Sequence, residues 1–272
     1  MTDTPSSRPF EPQHIAQPLA TLRQHAPLVQ CLTNIVVANF TANVLLASGC
    51  APAMVDNAQE AEGFAAISAG VLINLGTPYQ ETAQAMRAAV RGAERAGVPW
   101  VLDPVAAGAV PWRTSIALEL LAKHHPRIVR GNGSEILALM GGQGGKGVES
   151  TAGADQAVDA ARQLARQHGC VVAVSGEVDY LTDGARAVRI ANGHPHLTRV
   201  TGAGCSLGAL MAAFAGVTQD ALLAASSATA LLTVAADDAA RACQGPGSFA
   251  VALIDRLYTL TPEALAQGIR LA

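Results

Sequence analysis

The chain has 272 residues, of which 50% are hydrophobic, 14% charged and 4% aromatic, and its formal net charge is −3. Ordinary domains carry about 25% charged residues, so this composition indicates an extensive apolar interior, with some surface buried between subunits. The slightly negative charge provides no basic face, so nucleic acid is not an expected partner. We expect one domain over residues 1–272, with about residues 1–13 as a flexible N-terminal tail.

The five cysteines are widely spaced, form no CxxC pair and follow no secretory signal, which predicts a cytoplasmic protein with reduced thiols. Long uncharged stretches occur, for example residues 24–55. Polar residues, glycine or proline interrupt each stretch, and none reaches about 18 consecutive apolar residues. We therefore expect buried helices and strands rather than membrane spans.

Short apolar runs alternate with helical patterns along the chain. The predicted strands are residues 27–32, 51–55, 70–76, 98–105, 127–132 and 170–176. The predicted helices are residues 39–48, 57–68, 79–97, 114–124, 133–141 and 155–169, with Asn57 as a candidate cap. Residues 179–190 resemble a hairpin that turns at Asp183 and Gly184, and the chain from Cys205 onward is predicted to be mostly helical.

This alternation predicts an α/β fold with a largely parallel sheet covered on both faces. Ligands of such sheets bind at the carboxyl ends of the strands. The rule selects the polar strand tails, which are Thr33 and Asn34, residues 74–77, Asp103, residues 130–132 and residues 175–177. The glycine-rich residues 140–151 are predicted to form a mobile loop.

The segment VTGAGCSLGALMAAF, residues 200–214, contains a glycine-rich turn that opens into a helix. The free N–H groups of a helix amino end bind anions, phosphate above all. Leu207 stands where a dinucleotide-binding GxGxxG requires glycine, so a phosphate site and a structural turn both remain open. Cys205 would lie in the first helical turn, where the helix lowers a thiol pKa and suits it to act as a general base. The alternative is a small buried apolar residue.

Asp103 lies at the end of one predicted strand, and the segment IVRGNGSEI at the end of another supplies Arg130, Asn132 and Glu135. In one interpretation, Asp103 and Glu135 hold Mg²⁺, directly or through water, while Arg130 meets phosphate oxygens. In the other, Asn132 and Glu135 form the capping box of a helix. The two interpretations are compatible.

Several other site patterns are incomplete. Lys146 suggests a Walker A loop, but Gly147 follows it and Met140 stands where the first glycine belongs. The seven histidines form no HExxH and no spaced Cys/His cluster, which argues against a zinc site. The chain also lacks the GxSxG elbow of α/β-hydrolases.

Five segments together resemble the hydroxyethylthiazole kinases of the ribokinase-like superfamily. They are LTNIVVANFTANVLLASGCAPAMV, VLDPVAAGA, VRGNGSEI, VSGEVDYLTDG and TGAGCSLGALMAAF, and the similarity spans about residues 20–260. The resemblance implies a three-layer α/β/α fold with a mostly parallel central sheet. It also implies Mg²⁺-dependent transfer of the ATP γ-phosphate to the hydroxyl of 4-methyl-5-(2-hydroxyethyl)thiazole in thiamine salvage. A homotrimer with active sites at the subunit boundaries is expected.

The resemblance also assigns roles to individual residues. It places Cys205 at the catalytic base position and the anion hole at Gly202, Ala203 and Gly204. The nucleotide contacts would be Arg130, Ser175 and Asn132, the Mg²⁺ site Asp103 and Glu135, and the thiazole pocket Asn34, Val36 and Met54, with Gly202 near the substrate hydroxyl.

Five residues depart from the pattern of that family and concern substrate preference rather than the reaction class. Ser175 stands where many members have threonine, Ala203 replaces a frequent threonine, and Ile35 replaces a common aromatic residue. Gln30 and Cys31 also differ from the residues usual at those positions.

Three other functions are considered. The first is a ribokinase-like kinase acting on hydroxymethylpyrimidine or a sugar. The second is a nucleotide-dependent dehydratase of hydrated NAD(P)H. The third is a non-catalytic nucleotide-binding regulator. Cys205 and the segment TNIVVANFTAN argue against the first. The second is expected to have an aspartate-type turn where this chain has Cys205, and the third would require a missing catalytic element.

Overall fold

The computed structural model describes residues 9–142 and 151–272, and its described strands form a single mostly parallel sheet. The strands follow the spatial order β2-β1-β3-β4-β5-β6-β7-β8. The six strands from β2 to β6 are parallel, whereas β7 runs antiparallel to β6 and β8 runs antiparallel to β7. Their bounds are β1 Leu28–Leu32, β2 Ala51–Ala53, β3 Gly70–Asn74, β4 Trp100–Asp103, β5 Ile128–Asn132, β6 Val171–Ser175, β7 Asp179–Thr182 and β8 Ala187–Ile190.

Helices cover both faces of this sheet and make the fold a three-layer α/β/α arrangement. On one face lie α1 Pro12–Ala16, α2 Pro18–His25, α3 Ala38–Ser48, α9 Ala203–Val217, α10 Ala221–Ala242, α11 Pro246–Thr259 and α12 Pro262–Gly268. On the other lie α4 Ala61–Ile67, α5 Gln80–Ala96, α6 Pro111–Lys123, α7 Gly133–Leu139 and α8 Thr151–His168. The mostly parallel sheet covered on both faces agrees with the sequence-based prediction.

The central strand β3 shows how the sequence produces the two cores. All five of its residues are buried, and alternate side chains enter opposite cores. Leu72 packs under α9, whereas Val71 and Ile73 pack under α4 and α5. A strand buried on both faces requires the continuous apolar run that the sequence shows.

Helix α10 is, among the described residues, the one helix long and apolar enough by composition to cross a bilayer. In this fold, 78% of its apolar window is buried, and it packs against α9, α11 and α1. Packing within the protein therefore accounts for its apolar composition.

Several predicted element boundaries need correction. Asn57 is not a helix cap, because its side chain accepts a hydrogen bond from Gln59 in a turn and α4 begins only at Ala61. Helix α1 begins at Pro12 and buries Ile15, so the predicted tail includes two helical residues at its end. Residues 143–150, which contain Lys146 and most of the predicted loop, lie outside the described residues.

Candidate active site

The candidate site lies where the carboxyl ends of five neighbouring strands meet the amino end of α9. Strand pairing aligns Asn74 of β3 with Asp103 of β4, and Asn132 of β5 with Ser175 of β6. Parallel strands present their carboxyl ends at one edge of the sheet, so polar tails that are distant in sequence become neighbours. The expectation that the polar tails of β1, β3, β4, β5 and β6 share one edge is confirmed by the strand order.

The glycine-rich turn leaves backbone donors free at the start of α9. Gly202 has a φ of 98°, a left-handed conformation that glycine adopts without strain, and α9 begins at the next residue. The N–H groups of Gly204 and Cys205 donate to no carbonyl in the described ranges, 9–142 and 151–272. Two free N–H groups at a helix amino end form a site suited to an anion.

The guanidinium of Arg130 lies beside this turn. Its Nη1 is 3.4 Å from Oδ2 of Asp103, and its Nη2 donates to Oγ of Ser175 over 3.1 Å. Only 12% of the Arg130 side chain is exposed. A Cβ on Gly204 would lie 3.1 Å from Nη2, so the absence of a side chain there makes room for the guanidinium. The predicted residues Arg130, Ser175 and Gly204 are thus brought together.

Asp103 is completely buried and has one carboxylate oxygen without a partner. Burial raises the pKa of Asp103 to about 6, while the nearby charge of Arg130 and a hydrogen bond from Asn74 act in the opposite direction. Its Oδ2 accepts from Asn74 and Arg130, whereas its buried Oδ1 has no hydrogen-bond partner within residues 9–142 and 151–272. A free carboxylate oxygen beside an anion site is the kind of ligand that Mg²⁺ uses.

Glu135 forms the capping box that the sequence suggested. Asn132 Oδ1 accepts from the Glu135 N–H at 2.9 Å, and Glu135 Oε2 accepts from the Asn132 N–H at 2.8 Å. Its Oε1 also accepts from the Ala106 N–H at 2.9 Å. Both carboxylate oxygens thus accept from backbone donors, which favours a structural role for Glu135. The exposed Asn132 caps α7 at the same edge.

The Cys205 thiol lies in the first turn of α9, as predicted, but its pKa is not lowered. Burial, followed by the negative charge of Asp103, raises the pKa of Cys205 above its usual value. The amide groups of Asn74 and Asn34 and the charge of Arg130 oppose this change without reversing it. The expectation that the helix end dominates is therefore wrong, because the sequence does not reveal burial beside a carboxylate.

The residues expected to bind the thiazole differ in exposure. Asn34 is 6% exposed, and its Nδ2 lies 3.6 Å from Sγ of Cys205. Val36 follows Asn34 and is 64% exposed, and Met54, which directly follows β2, is 36% exposed. Neither reaches the network around Cys205 through a described contact, so in a single chain this part of the expected pocket is open to solvent.

Sequence reasoning placed Asn74 and Gly76 among the strand tails without giving either a specific role, and it did not select Asp179. Asn74 links Asn34 to Asp103 by hydrogen bonds of 2.9 and 2.8 Å. A Cβ on Gly76 would lie 2.3 Å from Asn34 Nδ2, so only glycine fits there. Burial raises the pKa of Asp179 to about 6, and this carboxylate faces the charge of Arg130. Their position at the ends of predicted strands was the signal in the sequence that could have identified them. Their contacts depend on strand pairing, which the sequence does not show.

A separate surface cavity of about 810 Å³ opens at the opposite edge of the sheet, near the starts of β4 and β5. Its charged groups are already engaged. Glu94 accepts from His124 Nδ1 and from the His125 N–H, and Arg127 donates to the carbonyl of Gln219. The cavity therefore lacks the free carboxylate oxygen and helix amino end found around Asp103 and Cys205.

The fold and the site define a class of protein. An anion site at a helix amino end, a neighbouring arginine and a buried carboxylate are the groups that phosphoryl transfer to a small molecule requires. A ribokinase-like superfamily protein from Enterococcus faecalis has the same fold, with a TM-score of 0.62, 11% identity and coverage of 96% of this chain and 93% of that one. The chain thus shares the fold of a ribokinase-like superfamily protein.

Sequence comparison identifies the family within this class. The hydroxyethylthiazole kinase family model matches residues 19–263, and the chain belongs to that family. It is 54% identical over 259 residues to a hydroxyethylthiazole kinase of Cutibacterium acnes, covering 94% of this chain and 93% of the relative. It is 57% identical over 255 residues to one of Clavibacter sepedonicus, covering 93% and 92%. A solved hydroxyethylthiazole kinase structure from Pyrococcus horikoshii superposes with a TM-score of 0.87 at 38% identity, covering 95% and 98%.

Proposed function

We propose that this protein transfers the γ-phosphoryl group of ATP to the hydroxyl of 4-methyl-5-(2-hydroxyethyl)thiazole in thiamine salvage. Family membership over residues 19–263 supports the substrate. One observation supports the proposed reaction. Cys205, the free N–H groups of α9 and the Arg130–Asp103 pair lie together at the same edge of the sheet. These groups belong to separate chain segments, and the fold assembles them.

The nucleotide phosphates would bind between α9 and the ends of β5 and β6. The guanidinium of Arg130 and the N–H groups of Gly204 and Cys205 face the same space and would stabilise the charge of the transferring group. Ser175 holds the guanidinium through its hydroxyl, and Asn132 lies at the adjacent strand end. The other predicted members of the anion hole, Gly202 and Ala203, set the backbone turn that aims these donors.

Mg²⁺ fits Asp103, because Oδ1 is an unpartnered carboxylate oxygen. The ion, when bound, would neutralise charge on the phosphate oxygens. Glu135 lies close enough to raise the pKa of Asp103 and adds a second negative charge to this edge. Asp103 would therefore hold the ion directly and Glu135 through water.

Cys205 would accept the proton of the substrate hydroxyl at Sγ. Its raised pKa keeps the thiol protonated near neutral pH in the free protein, so the thiolate is a minor form. Phosphoryl transfer through a loose transition state needs little help from a base. The thiol therefore assists the reaction, while the anion site and Arg130 supply most of the rate enhancement.

The proposed assembly is a cytoplasmic homotrimer with active sites at the subunit boundaries. Ile35 and Val36, directly after Asn34, are 74% and 64% exposed in the single chain. Two adjacent apolar side chains beside a substrate site are expected to be covered, and a neighbouring subunit would complete the thiazole pocket with Met54. Residues 1–272 would form one catalytic domain.

A coupled assay of ADP release tests the proposed function. The protein is incubated with ATP and Mg²⁺ together with hydroxyethylthiazole, hydroxymethylpyrimidine or ribose. We expect release with the thiazole alone. Release with another alcohol would retain the kinase reaction and contradict the substrate, and no release with any of the three would contradict the kinase reaction itself.

A further inference from the structure

We propose that Asn74 is a positioning residue that sets the orientation of two groups of the site at once. The first is the carboxylate of Asp103, and the second is the amide of Asn34 beside the Cys205 thiol. The inference rests on the proposed function for the reaction it serves. The contacts that support it belong to the described chain and do not depend on the substrate.

The position of Asn74 requires that its side chain be fully hydrogen-bonded. It is the last residue of β3, has no exposed surface and pairs in register with Asp103. Burying an amide without hydrogen-bond partners is unfavourable, so a buried asparagine is held by its neighbours. Its three hydrogen bonds therefore define a fixed geometry.

The orientation of the Asn74 amide follows from the backbone of Gly76. The Gly76 N–H can only donate, and it lies 3.1 Å from one amide atom of Asn74. That atom must be the oxygen Oδ1, so the nitrogen Nδ2 faces the other way, toward Asp103. Nδ2 donates to Oδ2 of Asp103 at 2.8 Å.

This donor determines which oxygen of Asp103 is free. Oδ2 already accepts from Asn74 and lies 3.4 Å from Arg130 Nη1, whereas the buried Oδ1 has no partner. Arg130 contacts Oδ2 from a different strand, so the two donors together prevent the carboxylate from turning. Asn74 thereby leaves Oδ1 as the carboxylate oxygen without a hydrogen-bond partner among the described residues.

The same side chain orients Asn34. The oxygen Oδ1 of Asn74 accepts from Asn34 Nδ2 at 2.9 Å, so Asn34 presents its nitrogen to the centre of the site. That nitrogen also lies 3.6 Å from Sγ of Cys205. The sulfur thus faces an amide donor, which favours its thiolate form, rather than an amide oxygen, which would disfavour it.

Two substitutions test whether Asn74 orients its neighbours through hydrogen bonds or only fills space. Asn74→Leu keeps a side chain of similar size and removes both polar atoms. Asn74→Asp keeps the shape but places a second carboxylate against Asp103. The Asp variant therefore loses the donor to Asp103 and keeps an acceptor for Gly76 and Asn34, whereas the Leu variant loses the donor and the acceptor.

The matched control is Asn192→Asp. Asn192 is also buried, and its Nδ2 also donates to an aspartate oxygen at 2.8 Å, that of Asp237. It follows β8, three strands away from β5. This variant reproduces the loss of a buried Asn–Asp hydrogen bond outside the site. Thermal unfolding of all variants measures the purely structural part of each change.

The experiment measures kcat and KM for the thiazole between pH 6 and 9. We expect Asn74→Asp and Asn74→Leu each to lose at least about tenfold in kcat. Asn192→Asp should remain within about twofold of the parent protein throughout. An unimpaired Asn74→Asp or Asn74→Leu would overturn the proposal.

A second readout needs no substrate. The pH dependence of Cys205 alkylation by iodoacetamide, followed by peptide mass spectrometry, reports the thiol pKa. Both Asn74 substitutions should raise that pKa, because the donors that favour the thiolate are lost or misdirected, and Asn192→Asp should not change it. If the parent protein phosphorylates no thiazole, the proposed function fails while this measurement still decides the role of Asn74. An unchanged alkylation profile would contradict the positioning role.

Discussion

Gly204 and Arg130 are packed so closely that the absence of a side chain at Gly204 leaves space for the guanidinium. A Cβ at position 204 would lie 3.1 Å from Nη2 and 3.4 Å from Nη1 of Arg130. The guanidinium is held on its other side by Asp103 and Ser175, so it has little freedom to withdraw. The start of α9 and the phosphate-facing arginine therefore form one unit.

Substitution Gly204→Ala is expected to displace Arg130 and slow phosphoryl transfer by about tenfold or more, because charge stabilisation depends on sub-ångström placement. Gly247→Ala is the matched control, since Gly247 is also the second residue of a helix and a Cβ there would meet no atom within 4 Å. Steady-state kinetics of both variants test this. Equal activity of the two would show that the arginine accommodates the methyl group.

Replacement of Cys205 by alanine should slow turnover and leave measurable activity, because the thiol only assists a loose transition state. Its raised pKa implies that the parent rate climbs with pH as the thiolate forms. Cys205→Ala should lose this alkaline increase, which a pH–rate profile would reveal. If the pH–rate profile of Cys205→Ala matches that of the parent protein, Cys205 is not the base. Complete loss of activity would mean that the thiol does more than accept a proton.

The strand ends and helix amino ends of the site could be predicted from sequence, but its contacts could not. Apolar runs and glycine turns correctly placed Asp103 at the end of a strand and Cys205 in the first turn of a helix. The pairing of β3 with β4, which brings Asn74 against Asp103, depends on strand order, and sequence spacing does not encode strand order directly. The thiol pKa was missed for the same reason, since burial is a property of the packed chain.

The pKa of Asp103 predicts an acid limit to activity. A carboxylate that contacts the reacting phosphate or its ion must be ionised, and the pKa of Asp103 is raised to about 6 by burial. We expect kcat/KM to fall as the pH drops below about 6. Asp103→Asn should abolish this decrease in kcat/KM at low pH and reduce kcat/KM by about 100-fold or more at pH 8. If the decrease at low pH persists in that variant, another group causes it.

Ionisation of Asp179 is expected to destabilise the fold, whereas ionisation of an ordinary salt-bridged carboxylate stabilises it. Burial raises its pKa to about 6, so the folded protein holds the proton more tightly than the unfolded chain does. Ionisation then destabilises the fold progressively as the pH rises from about 4 to about 6. The Gly176 N–H donates to its Oδ1 at 3.0 Å, and an asparagine oxygen can accept the same bond.

Asp179→Asn should therefore be more stable than the parent protein at pH 8, by roughly 2 kcal/mol, because it removes a charge whose ionisation is disfavoured by burial. The difference should disappear near pH 4, where the aspartic acid is neutral in the fold. Urea denaturation at pH 4, 6 and 8 measures it. The exposed Asp255→Asn, on α11, is the control and should show no comparable gain. A variant that is less stable at pH 8 would mean that attraction to Arg130 outweighs the cost of burying the carboxylate.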